Sequence, residues 1–136
     1  MSTKTPQKKK PAPASAPGIV WFEIPADDIP CAKKFDASLF GCKINAMPHM
    51  QDYLHMDTGG ADASPDGALM KRMHSRHTIT NYVSVASVTK AAAKVTKLGG
   101  TVCREKTTVP AMGYFAICRD TEGNEFALWE MNPKAK

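Results

Sequence analysis

A chain of 136 residues, 43% hydrophobic and 23% charged, is the size of one domain and can bury about two-thirds of its unfolded surface without disulfides or a structural metal. Its formal charge of +5 does not make it a nucleic-acid binder: Lys4, Lys8, Lys9 and Lys10 sit in the first seventeen positions, leaving 14 of the 18 basic residues against 13 acidic ones. Cys31, Cys42, Cys103 and Cys118 form no Cys-x-x-Cys pair and read as reduced thiols of a cytoplasmic protein, and no apolar run is long enough to span a membrane.

Residues 1–17 are Lys, Pro, Ala, Ser and Thr with one Gln and no large apolar side chain except Met1. Such a segment cannot offset backbone ordering of ~1–2 kcal/mol per residue, so a disordered basic tail is expected, followed by one domain over 18–132. The tail lacks the apolar centre of a secretory signal. Residues 18–25 alternate into Pro25 and read as a strand with Trp21 and Glu23 on one face, Phe22 and Ile24 on the other. Asp28 is placed to cap a helix, Pro30 suits its first turn, and Ala32, Phe35, Leu39 and Phe40 form its apolar stripe until Gly41. Three weaker strands follow, over 42–47, 53–57 and 68–72, separated by Pro48 and a turn-rich stretch over 58–67.

The same plan then repeats. Residues 79–85 alternate as a strand, Ser87 can cap, Val88, Ala91, Ala92, Val95 and Leu98 make a stripe, and Gly99 and Gly100 end it. A short strand over 101–104, a loop over 107–112 and a closing hairpin come next. The hairpin pairs 114–118 with 125–129 around the turn 120–124, where Gly123 can take positive φ. Candidate caps Asp28 and Ser87 have the same order of elements after them, so the chain reads as a duplication, with one module over about 18–73 and a second over about 78–131. The expected fold is α+β: two tandem βαβββ modules forming a concave mixed sheet, with helices on the convex face and a cleft between modules.

In this order and spacing, the stretch Phe22-Glu23-Ile24-Pro25-Ala26-Asp27-Asp28, Phe35 with Leu39-Phe40-Gly41, residues 67–72, Leu98-Gly99-Gly100, and Gly113-Tyr114-Phe115 through Asp120 to Glu130 resemble the vicinal oxygen chelate superfamily. That superfamily contains glyoxalase I, bleomycin-resistance proteins and extradiol dioxygenases. The resemblance covers residues 18 to about 131 and implies a divalent ion held by His, Gln or Glu from the first and last strands of each module. The matching positions here are Trp21, Thr80, Ala127 and a position near Leu69, which are poor ligands, so no metal or other cofactor is expected. Asp36, Cys42 and Thr121 also depart from the residues usual at those places. The resemblance further implies a homodimer.

Strand alternation brings Trp21, Glu23, Thr80, Tyr82, Ser84, Glu125, Ala127 and Trp129 to the concave side. The expected ligand-binding residues are Trp21, Glu23, His55, Thr80, Tyr82, Met112, Glu125 and Trp129, with Glu23 as the catalytic candidate for acid–base chemistry. Trp21 either stacks on a ligand or fills the space an ion would take. His74 and His77 lie in the polar link between modules and read as solvated. The expectation is a metal-free protein that binds a small organic molecule in the cleft, with no membrane or nucleic-acid partner. Two alternatives stay open: a divalent-metal-dependent lyase or dioxygenase using displaced ligands such as His55 and Glu23, and an interaction module using the basic tail.

Overall fold

The computed structural model describes residues 17–60 and 64–136; the expected tail, apart from Pro17, lies outside the described residues. The elements are β1 (Ile19–Ala26), α1 (Ile29–Phe40), β2 (Lys43–Ala46), β3 (Tyr53–Asp57), β4 (Asp66–Lys71), β5 (Thr80–Ser84), α2 (Val88–Lys97), β6 (Thr101–Val109), β7 (Gly113–Arg119) and β8 (Glu125–Met131). This is the expected α+β order, βαβββ twice. The strands make one eight-stranded mixed sheet in the order β2-β3-β4-β1-β5-β8-β7-β6.

In each half the last strand returns parallel to the first, β4 beside β1 and β8 beside β5. The halves join where β1 and β5 run antiparallel, with Trp21 opposite Tyr82 and Glu23 opposite Thr80. A pseudo-two-fold axis therefore passes between β1 and β5.

The helices start and stop for local reasons. Asp28 Oδ1 accepts the Cys31 N–H at 2.9 Å, and Gly41, at φ 69°, closes α1 by donating to the Ala37 carbonyl. Ser87 Oγ accepts the Lys90 N–H at 3.1 Å, and Glu130 of β8 reaches across to accept the Val88 N–H at 2.9 Å. A carboxylate at the first turn of α2 satisfies an orphan donor and opposes the helix dipole favourably. Both helices cover the same face of the sheet. Under α1 lie Phe22, Ile24, Ile44, Met56 and Leu69; under α2 lie Ala116, Cys118, Phe126 and Leu128.

Two expectations are corrected here. The face α1 turns to the sheet is Ile29, Ala32 and Ala37, while Phe35, Leu39 and Phe40 are 64%, 60% and 70% exposed. The alanines let the helix lie close on the Phe22 and Ile24 side chains, and that contact rotates the bulkier residues outward. The strand expected to end at Arg104 continues as β6 to Val109, so the expected loop over 107–112 is half strand and half turn, with Ala111 at φ 64°. Irregularities in register between Val102 and Arg104, and between Arg104 and Thr107, each absorb one extra residue of β6 and let Thr107, Thr108 and Val109 pair again with β7.

All four cysteines are free thiols, and among the described residues no helix is long and apolar enough to cross a membrane.

Gly113 opens β7 where there is no room for a side chain. A Cβ there would meet the Glu130 carbonyl and come within 2.9 Å of the Trp129 ring. Gly113→Ala is expected to destabilise the fold by about 2 kcal/mol through overpacking, read as a lower urea midpoint at unchanged slope.

Candidate functional site

The concave face between the modules holds a cleft of about 930 Å³, within the usual range for small-molecule sites. Its floor is built from the two central strands. Alternation on β1 turns Trp21 and Glu23 toward the cleft while Phe22 and Ile24 go to the core beneath α1. Tyr82 enters from β5 and Tyr53 from β3.

These four side chains form one hydrogen-bonded chain. Trp21 Nε1 donates to the Tyr53 hydroxyl at 2.9 Å, Tyr53 donates to Glu23 Oε2 at 2.7 Å, and Tyr82 donates to Glu23 Oε1 at 2.9 Å. Each carboxylate oxygen thus has a phenol donor, which is what a half-buried carboxylate on a central strand requires. Glu23 and Tyr82 are 59 residues apart, the same spacing as the caps Asp28 and Ser87, so they occupy equivalent positions of the two modules and meet at the pseudo-two-fold axis. Burial first, and then the negative charge of Glu23, hold both phenols above their ordinary value of 10.0.

At the second module's end, Thr80 is buried and its hydroxyl donates to Glu125 Oε2 at 2.9 Å. Trp129 and Met112 border the cleft as expected, as do Trp21, Glu23, Thr80, Tyr82 and Glu125. His55 does not border it: its ring stacks on Trp21, with centroids 5.8 Å apart, and its Nε2 lies 3.2 Å from Asp66 Oδ2. It therefore supports Trp21 from outside the cleft.

Several lining residues escaped the sequence reading. Tyr53 was legible: it lies two positions before His55 on the same strand, so period-two alternation gives both the same face. Cys103 and Arg104 are consecutive yet both border the cleft, because the irregularity in β6 breaks the alternation; Arg104 lies over the Phe115 ring, 5.2 Å from its centroid. Met47, Met50, Met70, Met73 and Met131 also line it, so that with the expected Met112 six of the chain's eight methionines do.

The reading of His77 as solvated is corrected, while His74 is exposed as expected. His77 is buried and both residues border the cleft, their rings stacked at 5.5 Å. The Arg72 guanidinium, itself paired with Asp27 at 3.0 Å, donates to the His77 carbonyl, and the Met73 N–H donates to His77 Nδ1 at 3.1 Å. These contacts fold the link into a turn against the cleft. Burial holds the His77 imidazole below its ordinary 6.5, with Glu125 opposing the shift.

The positions that the sequence comparison assigned to an ion do not fit one. Trp21 is an N–H donor already bonded to Tyr53, the Thr80 hydroxyl is engaged by Glu125, Ala127 has no donor atom, and Leu69 faces α1. Among the described residues, no three His, Cys, Asp or Glu side chains are grouped to hold a metal.

The family model described as the glyoxalase/bleomycin resistance protein/dioxygenase superfamily matches residues 18–128. Similar solved structures include methylmalonyl-CoA epimerase from Mycobacterium tuberculosis, at 13% identity over 85% of this chain and 89% of that one, with a TM-score of 0.64. A glyoxalase/bleomycin resistance protein/dioxygenase superfamily member from Vibrio splendidus is 11% identical over 86% of this chain and 100% of that one, at 0.62. A hypothetical protein from Bacillus halodurans is 12% identical over 90% and 99%, also at 0.62. At these identities the likeness is one of fold. No curated protein matches the chain.

The phenols give a testable pH dependence. Because Tyr53 and Tyr82 hold their protons more tightly when folded, their contribution to stability is intact below about pH 10 and is lost as pH rises further, where the unfolded chain releases protons the native one keeps. In an alkaline titration, the tyrosinate absorbance of these two residues should appear together with unfolding, and Tyr53→Phe with Tyr82→Phe should remove that coupled step.

Proposed function

Because the chain belongs to the glyoxalase/bleomycin resistance protein/dioxygenase superfamily, we propose that it uses the cleft between its modules to bind a small, largely apolar organic molecule without a divalent ion. One observation carries this reading: the cleft is lined largely by Met, Trp, Tyr and Phe around two carboxylates, Glu23 and Glu125, each already accepting from a neighbouring hydroxyl, with donors poorly suited to an ion at the expected ligand positions. Aromatic faces offer flat contact area. Thioethers on unbranched side chains adapt to an irregular outline.

Glu23 is the polar anchor. Tyr53 and Tyr82 take one acceptor position on each of its oxygens, and the remaining lone pairs accept an N–H or O–H of the ligand. A bound molecule that is also transformed would exchange its proton with Glu23, the carboxylate fixed from two sides at the cleft floor. Capture alone needs no such exchange. The two modes differ in whether solvent deuterium enters the ligand.

Trp21 and Trp129 are the chain's only tryptophans and both border the cleft, so intrinsic fluorescence reports its occupancy directly. A panel of naphthalene-sized aromatic compounds, neutral and ammonium-bearing, is expected to quench it saturably. Glu23→Gln should weaken binding of the N–H or O–H bearing members about tenfold, the cost of losing a charged acceptor. Elemental analysis of protein purified without chelator should find no stoichiometric Ni, Zn, Fe, Mn or Co. A stoichiometric ion, or stabilisation by one in a thermal titration, would overturn the metal-free reading and favour a lyase or dioxygenase.

A further inference from the structure

Of the two buried polar side chains in the cleft wall, Thr80 is bonded to Glu125, and His77 is the one whose hydrogen bonding is incomplete. It retains 6% of its surface, and Nδ1 is occupied by the Met73 N–H. That donor fixes the tautomer: with Nδ1 accepting, the neutral ring must carry its proton on Nε2. Nε2 has no hydrogen-bond partner among the described residues, yet no fully buried side-chain nitrogen or oxygen among them is left unpaired. The residual surface of the ring therefore includes Nε2, on a residue that borders the cleft.

We infer that His77 is the specificity-determining donor of this cleft, presenting Nε2–H to the carbonyl oxygen of an uncharged, largely apolar ligand. The inference rests on the cleft being a small-molecule site and names the class of molecule it takes. An acceptor on the ligand is required because an N–H covered by hydrocarbon would lose water and gain nothing. A carboxylate is the poorer acceptor: at the His77 ring the charges of Glu125 and Glu23 outweigh those of His74 and Arg72, so a further anion there would be repelled. The neutral state of the ring agrees with this, since burial favours it and His74 and Arg72 on the adjoining turn oppose a further positive charge. The arrangement makes Nε2–H a fixed neutral dipole rather than a cation. It selects a carbonyl over both a hydrocarbon and an anion.

Three probes of one shape separate the possibilities: acetylnaphthalene with a carbonyl, ethylnaphthalene without one, and naphthoate with a charge. Quenching of Trp21 and Trp129 is read in the wild type and in His77→Leu and His77→Gln, of which only the second keeps an N–H donor. Acetylnaphthalene is expected to bind the wild type about tenfold more tightly than either other probe. The gap over ethylnaphthalene should close in His77→Leu and persist in His77→Gln. Long-range proton–nitrogen NMR of the wild type supplies a readout independent of any variant's folding: the ring should be the Nε2–H tautomer, its Nε2 signal moving with acetylnaphthalene and not with ethylnaphthalene. Equal affinity for the ketone and the hydrocarbon, a preference for naphthoate, or an unmoved Nε2 signal at saturation would overturn the inference and leave the cleft reading standing. No saturable quenching by any of the three would overturn both.

Discussion

A carboxylate on the central strand of a sheet is tolerated only if it finds donors, and the two that Glu23 finds come from different modules. Tyr53 belongs to β3 of the first and Tyr82 to β5 of the second. Leaving such a carboxylate unpaired costs several kcal/mol, so the seam between β1 and β5 and the placement of both phenols depend on one another. Trp21 is held through Tyr53, and His55 stacks on Trp21 from outside the cleft. The floor is therefore fixed by hydrogen bonds along its length. The rim differs in kind, being supplied largely by methionines, several of them on the loops and links around the mouth. A rigid polar floor under adaptable apolar walls suits the proposed small-molecule role, in which the floor sets orientation and the walls accept more than one outline.

The floor also explains why an ion fits poorly. The indole at Trp21 and the hydroxyl at Thr80 are donors with partners of their own, Tyr53 and Glu125. A cation there would need acceptors on all sides. The same fold is thus compatible with a centre organised around a carboxylate and phenols instead of a metal.

Much of this was legible in the residues. Asp28, Gly41 and Ser87 punctuate the helices through their own side chains or backbone, so their signals are local and survive folding. Strict alternation on β1, β5 and β8 brought Trp21, Glu23, Thr80, Tyr82, Glu125 and Trp129 to one face before any tertiary contact was known. What escaped depends on partners distant in sequence or on broken periodicity. The irregular pairing of β6 with β7 sends Cys103 and Arg104 to the same side, against the alternation that sequence reading assumes. His77 is buried because Arg72 grips its carbonyl, a contact that composition cannot announce in a stretch so polar. On α1, Phe35 and Leu39 carry the larger hydrophobicity, but the small Ala32 and Ala37 allow the closer approach, and close approach decided the helix's rotation.

The meeting of Glu23 and Tyr82 at the pseudo-two-fold axis carries one more consequence. Two identical modules arranged about a true axis would force like to face like: a glutamate there would oppose its own copy and repel it, and a tyrosine would oppose another tyrosine. A single chain that carries both modules is free of that restriction, since each half can hold a different residue at the same place. Here one half supplies the acceptor and the other the donor, at 2.9 Å. The cleft consequently has a handedness of chemistry that its backbone lacks, and its two ends are distinguishable to any molecule that would enter it.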